Sequence, residues 1–507
     1  MLKRFVTIAA IVFSCQAAAA PWPRALPDPC TNVRDRGDLN TTDFPSASQT
    51  NLWDVAYPDS YAGMLPALRG VIFIVNANGA SEGHYRRLGE HLARQDFLVR
   101  LIARPGADFA TTHVANAMHE TFAQFGLPVD FPVVLLGHSK GGGSVLEVTR
   151  LYHDAYNIDA VINLAPNAQG AVGFLGSEAP AYLGLYGSQD EDMAGTSGNP
   201  REAFMAYDLI NGEWTTASPL SRWFVVNNNM IDKAMVYVRG ADHSGFIRHE
   251  GLFTSLAYRD YLSRDDQFCI AKAYTTAFLD WKLGGIDDYR AMFYGDIRPP
   301  SVAAIHTDAV DYFGNPAGQP VEIFHQFSPR KRYVLADFWS TPALTTSFNM
   351  QATTLYPFAQ DSRARHETRA LRLAWQSHPS MRALTIAVPS NRRRLSAFDT
   401  LQFRIGQINT GQATSANTDQ SEPTLLLSLV DGNGYSVNHF ISSYGRIPGH
   451  DRRQDGSRGH SHMNTIRIPM ADLDSINLAD VRQVKFWVFP NSRGEVMIDS
   501  IEAVYDY

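Results

Sequence analysis

Cysteine is scarce. Three residues in a chain of 507 cannot build the disulfide scaffold on which small exported domains depend. An excess of one charge is lacking too: 44 Lys and Arg nearly balance 51 Asp and Glu, for a net charge of −7. That removes the reason to invoke nucleic acid or an anionic membrane surface as a partner. Beyond Phe13 no apolar run approaches the ~20 residues that a membrane-spanning helix needs. No internal repeat is found, and no glycine loop of the nucleotide-binding type. What remains is an ordinary globular composition, 45% hydrophobic and 19% charged, in a chain too long for one core. Two domains are expected.

The N-terminus stands apart from both. Lys3 and Arg4 precede an apolar run over residues 5–13, and Ala17 to Ala20 supply the small residues of a cleavage site. This is the pattern of a secretory signal peptide, residues 1–20, and so of a secreted or periplasmic protein without a transmembrane segment. A lipoprotein leader acylated at Cys15 is the competing reading, and Phe13 just before Ser14 fits it poorly. With the leader removed, Cys30 and Cys269 remain, an even count that predicts one disulfide in an oxidising compartment. Residues 21–50, rich in Pro, Asp, Ser and Thr, read as an irregular arm.

From 51 to 298 strands alternate with helices. Residues 51–57, 71–75, 97–101, 133–136, 160–165, 181–186 and 235–238 read as strands. Residues 85–95, 111–125, 144–152 and 271–283 carry apolar side chains at helical spacing. The expected fold class is α/β, a mostly parallel sheet flanked by helices. Past Arg298-Pro299-Pro300 the helical period fades. Short alternating runs at 332–339, 370–375, 384–388, 400–405, 424–429, 465–468, 484–488 and 496–504 predict an all-β sandwich over residues 299–507. Trp339, Trp375 and Trp487 are expected in its core, and 449–464 in an exposed loop.

One stretch carries the chemistry. Val133-Val134-Leu135-Leu136 runs into Gly137-His138-Ser139-Lys140-Gly141, and Val145, Val148 and Tyr152 follow at helical spacing. Strand, sharp turn and helix are the context that makes Gly-x-Ser-x-Gly a nucleophile elbow. A serine hydroxyl is a poor nucleophile at neutral pH, so it needs a base and a group to orient that base. In this architecture the order is Ser, then Asp or Glu, then His. The strand at 181–186 leads into Gly187-Ser188-Gln189-Asp190-Glu191-Asp192, where Asp190 is the choice and Asp192 its rival. Of 16 histidines, His243 alone stands in the loop after the strand at 235–238 and in the required order. His138 reads as a packing or hydrogen-bonding residue. The oxyanion hole requires two backbone donors, assigned to the N–H groups of Lys140 and of Ala80, in the loop Asn78-Gly79-Ala80. The metal-like cluster His450-Asp451, His460 and His462 falls in the exposed loop and is not assigned a metal.

Through Gly137 to Gly143, the strand and turn from Val71 to Ala80, Gly187 to Asp190, Asp242-His243 and the closing segment 271–293, the chain resembles the α/β-hydrolase family. Within it the likeness is to the exported bacterial branch of cutinase-like polyester hydrolases and lipases, over roughly residues 50–295. The resemblance implies a serine carboxylic-ester hydrolase working through an acyl-enzyme, without a cofactor, on an ester substrate, polymeric and lipid esters included. Ser139 would be the nucleophile, His243 the base and Asp190 its orienting partner. The same triad would serve an amide or peptide hydrolase, and a disabled scaffold would serve as a binding protein. Two positions depart from the branch: Ala80 stands where polyester hydrolases carry an aromatic residue, and Ala165-Pro166-Asn167 where they carry a tryptophan. Gripping of an aromatic polyester ring is therefore not implied. Residues 193–230, longer than a plain connection, read as a lid or a peripheral insertion. The ending Met497-Ile498-Asp499-Ser500-Ile501 resembles galactose-binding-like sandwiches attached to exported hydrolases.

Overall fold

A computed structural model describes residues 22–31, 39–45, 52–58, 63–102, 111–167, 180–190, 232–247, 262–295, 297–310, 316–318, 321–327, 332–336, 344–355, 370–407, 422–449 and 463–506. The expected leader, Asp192, the candidate lid at 193–230, Trp339 and the histidines at 450, 460 and 462 lie outside the described residues.

Apolar runs without alternation are suited to strands covered on both faces, and they form the middle of a nine-stranded sheet. Its first eight strands are β1 (Leu39–Pro45), β2 (Leu52–Pro58), β3 (Val71–Val75), β4 (Leu98–Ile102), β5 (Val133–His138), β6 (Ile158–Leu164), β7 (Ala181–Gly187) and β8 (Lys233–Val238). The spatial order is β1-β2-β4-β3-β5-β6-β7-β8, and the six strands from β4 to β8 run parallel. Among the described residues, four helices cover it: α1 (Arg86–Ala93), α2 (Thr111–Phe125), α3 (Lys140–Tyr152) and α4 (Arg264–Lys282). Because side chains alternate along a strand, Ile72 and Ile74 meet Leu88 and Leu92 of α1 and Phe278 of α4. Val71, Phe73 and Val75 face the other way, toward Val114 and Met118 of α2 and Val145 and Val148 of α3.

Three features differ from the sequence reading. Strand β1 lies inside the supposed irregular arm and pairs antiparallel with β2, from Leu39 opposite Pro58 to Pro45 opposite Leu52. Its Thr-Thr-Asp-Phe stretch has no apolar alternation to announce it. Helix α4 starts at Arg264, well before the expected 271, because its first turn is stabilised by polar groups. Ser263 Oγ accepts from the Asp266 N–H at 3.1 Å, and Asp265 and Asp266 sit at the positive end of the helix. Past the expected boundary at 298, a small hairpin of β9 (Thr307–Val310) and β10 (Pro316–Gly318) leads to β11 (Val321–Phe327). Strand β11 closes the nine-stranded sheet by pairing antiparallel with β8.

The segment at 22–31 is pinned down. Leu26 and Cys30 enter the core beside α4, and Cys30 is joined to Cys269 of that helix. The Tyr289 hydroxyl donates to the Pro27 carbonyl at 2.8 Å, and Asp28 accepts from both the N–H and hydroxyl of Ser301 at 2.7 Å.

The remaining strands are β12 (Arg332–Ala336), β13 (Leu344–Thr346), β14 (Met350–Leu355), β15 (Ala370–Trp375), β16 (Arg382–Ala387), β17 (Thr400–Gln407), β18 (Leu425–Asp431), β19 (Ser436–Phe440), β20 (Asn464–Pro469), β21 (Val481–Val488) and β22 (Gly494–Val504). They form two antiparallel sheets, β14-β15-β22-β17-β20 with β12 also on β22, and β13-β16-β21-β18-β19. Trp375, Phe403 and Phe486 fill the space between. Trp375 is buried as expected, and Trp487 is not in the core. Phe486 and Val488 point inward, so the pleat turns Trp487 out, where its Nε1–H donates to Ser428 Oγ at 2.8 Å. Ala370, Met463 and Met497 from the sandwich join Tyr186, Met235 and Tyr237 on one face of the large sheet. No helix among the described residues is long and apolar enough to cross a membrane.

Candidate active site

Ser139 stands between β5 and α3 with φ 55° and ψ −125°, a conformation that L-residues rarely adopt. The surroundings hold it there. Its N–H donates to the Leu164 carbonyl at 3.0 Å, and its carbonyl accepts from Gly142 at 2.9 Å and Asn167 at 2.8 Å. The glycines permit the close approach: a Cβ on Gly137 would lie 2.6 Å from the Gly141 carbonyl, and one on Gly141 would lie 2.2 Å from the Val75 oxygen. The turn therefore presses against the end of β3. Lys140 opens α3, so its N–H has no carbonyl one turn back to pair with and points out of the helix at its positive end.

The other two predicted residues meet beside it. Strand β7 ends at Gly187, and Asp190, fully buried, follows in the next turn. His243 comes from the loop after β8, and its Nδ1 lies 3.0 and 2.9 Å from the two carboxylate oxygens of Asp190. A carboxylate can only accept, so Nδ1 carries the proton and Nε2 is the basic nitrogen. The loop bearing His243 is clamped from α4: Gln267 Oε1 accepts from the Asp242 N–H at 3.1 Å, and its Nε2 donates to the Asp242 carbonyl at 2.7 Å. The Asp242 carboxylate caps the next turn through the N–H groups of Ser244 and Gly245, at 2.9 and 2.6 Å.

His138, beside Ser139, reaches the same loop. Its Nε2 lies 2.9 Å from the His243 carbonyl, and the two rings are 4.9 Å apart. This contact sets His243 beside the residue that precedes Ser139. Burial lowers the His138 pKa to about 3, with the nearby His243 adding to the shift and the bond to the His243 carbonyl opposing it. His138 is thus neutral at ordinary pH.

The donor assigned to Ala80 already has a partner within its own turn. Its N–H donates to the Ala77 carbonyl at 3.2 Å, closing a turn in which Gly79 takes φ 76°. Such a turn spends the amide of its fourth residue internally and turns those of its middle two outward. Asn78 and Gly79 are those residues, and both are exposed. In the segment Ala165-Pro166-Asn167, Ala165 sits at φ 44° and the Asn167 N–H donates to the Ser139 carbonyl. No group of three His, Cys, Asp or Glu among the described residues could hold a metal ion.

No family model matches the chain, and no curated protein matches it. Among solved structures, similarity is found to the family 11 carbohydrate-binding module of a cellulosomal cellulase of Clostridium thermocellum. That match has 12% identity over 34% of this chain and 94% of that one, with a TM-score of 0.23. The family 11 module from Clostridium thermocellum in complex with a β-1,3-1,4-mixed-linked tetrasaccharide gives 14% identity over 34% of this chain and 96% of that one, again with a TM-score of 0.23. Scores this low decide neither fold nor ligand, and the sandwich stands on its own strand pairing.

Proposed function

We propose that the chain is an exported serine hydrolase of carboxylic esters, built on an α/β-hydrolase domain with a β-sandwich appended. The observation that carries this reading is the convergence at one sheet edge of a serine at positive φ and a buried Asp190–His243 pair. Ser139 Oγ attacks the ester carbonyl while His243 Nε2 takes its proton, and Asp190 steadies the imidazolium. The tetrahedral oxyanion is met by the N–H of Lys140 and that of Asn78, in place of Ala80. Collapse breaks the bond to the alcohol, which leaves with the proton from His243. Water then enters by the same route, gives its proton to His243, and releases the acid and free Ser139. The chemistry calls for no cofactor.

The test is labelling with a fluorophosphonate probe together with turnover on a panel of p-nitrophenyl esters. Ser139→Ala should abolish labelling and lower turnover by about 10³-fold or more, and His243→Ala should do as much without additivity in the double variant. Asp190→Asn should be severely impaired and Asp192→Asn nearly normal. Near-normal hydrolysis by Ser139→Ala would refute the assignment.

A further inference from the structure

Three buried hydrogen bonds run in series away from the triad. The Ala77 N–H donates to Tyr85 Oη at 2.8 Å, Tyr85 Oη lies 2.7 Å from His138 Nδ1, and His138 Nε2 lies 2.9 Å from the His243 carbonyl. Tyr85 and His138 are both fully buried. The two ends determine every proton between them. An amide N–H only donates and a carbonyl only accepts, so His138 carries its proton on Nε2. Its Nδ1 is then a bare lone pair, which must accept from the Tyr85 hydroxyl. Neutral His138 satisfies all three bonds in one tautomer, and protonating it would set an N–H against the tyrosine O–H.

The ends are also chemically meaningful. Ala77 opens the turn that presents Asn78, and the His243 carbonyl belongs to the residue that moves the proton. We propose that Tyr85 and His138 are positioning residues, a relay that holds the oxyanion turn and the general base at a set separation. This rests on the serine-hydrolase reading above. An apolar pair of similar volume would fill the space equally well. It would break the bonds to the Ala77 amide and the His243 carbonyl and let the two loops shift independently. Because misplacement by about an ångström can cost up to 10²-fold in rate, the relay acts on the chemical step and not on substrate binding.

Tyr85→Phe removes the hydroxyl and keeps the ring. On p-nitrophenyl acetate it should lower kcat by about 10- to 100-fold with KM within about twofold, and slow fluorophosphonate labelling in parallel. His138→Gln offers one acceptor and one donor at the same separation and should keep most of the activity. His138→Leu should match Tyr85→Phe, and combining it with Tyr85→Phe should add little. Nitrogen-15 NMR of wild-type protein, which needs no variant to fold, should find His138 protonated on Nε2 only. Wild-type kcat in Tyr85→Phe, a loss confined to KM, or a proton on His138 Nδ1 each overturns the relay. If wild-type protein fails to label at Ser139, the hydrolase reading falls and the relay with it.

Discussion

Ser139 and the residues it touches illustrate what single positions disclose. The elbow was legible because its glycines are forced by close contacts, Gly137 with Gly141 and Gly141 with the end of β3, and the Asp190–His243 pair because chain order restricts the choice. The turn at 77–80 was not: the bond from the Ala80 N–H to the Ala77 carbonyl, which Gly79 at φ 76° permits, is not revealed by residue types. Histidines also set how the fold meets acid. His91, bonded to Thr276 at 2.9 Å, is lowered to about 3 by burial first and the Lys272 charge second, and His138 is lowered to about 3 as well. Both pKa values lie below the unfolded value of 6.5. The unfolded chain therefore binds more protons between those limits, and the stability present above pH 6.5 drains away as pH falls toward 3. Each group contributes a slope of about 1.4 kcal/mol per pH unit. Urea midpoints measured from pH 7 to 4 should fall steadily, and His91→Gln should show a visibly shallower decline. An unchanged slope would mean that His91 is not neutral in the fold.

Elements were readable where one interaction dominates and obscure where a distant partner decides. The apolar strands β3, β5 and β8 have no other stable place than a sheet covered on both sides. Strand β11 could not be read in this way, because Val-Glu-Ile-Phe-His-Gln-Phe becomes a sheet edge only when β8 is already there to pair with it. Helix α4 is where several restraints gather. Its Gln267 grips Asp242, its Phe278 packs on the sheet, and its Cys269 is tied to Cys30. The link constrains the unfolded chain over a sequence separation of 239 residues, and closures of this kind contribute about 2–4 kcal/mol. Cys30→Ser should therefore lower the melting temperature by several degrees under non-reducing conditions, while dithiothreitol should leave that variant unchanged. Non-reduced digests of the wild-type protein should contain a single peptide pair joining these cysteines. Two free thiols in protein from an oxidising compartment would contradict the pairing.

At the scale of the molecule, the two regions share a core as well as a chain. Met463, Met497 and Ala370 sit among Tyr186, Met235 and Tyr237, and the Arg467 guanidinium lies 4.1 Å from the Tyr294 ring centroid. A chain ended at Pro300 would lose β11 from the sheet edge and expose this apolar face. It should be recovered insoluble, or melt far below the full chain. A chain ended there that is as stable as the full protein on p-nitrophenyl esters would show the sandwich to be dispensable for folding. Strand β22 has a further consequence, which concerns time. It pairs with β12, β15 and β17, all of which precede it in the sequence. While a ribosome adds about 5–20 residues each second, β15 can pair with β14 and β17 with β20, but the two halves of the sheet have no strand between them until β22 emerges. The sandwich is thus completed from its centre and last, so that its folding waits on the end of the chain.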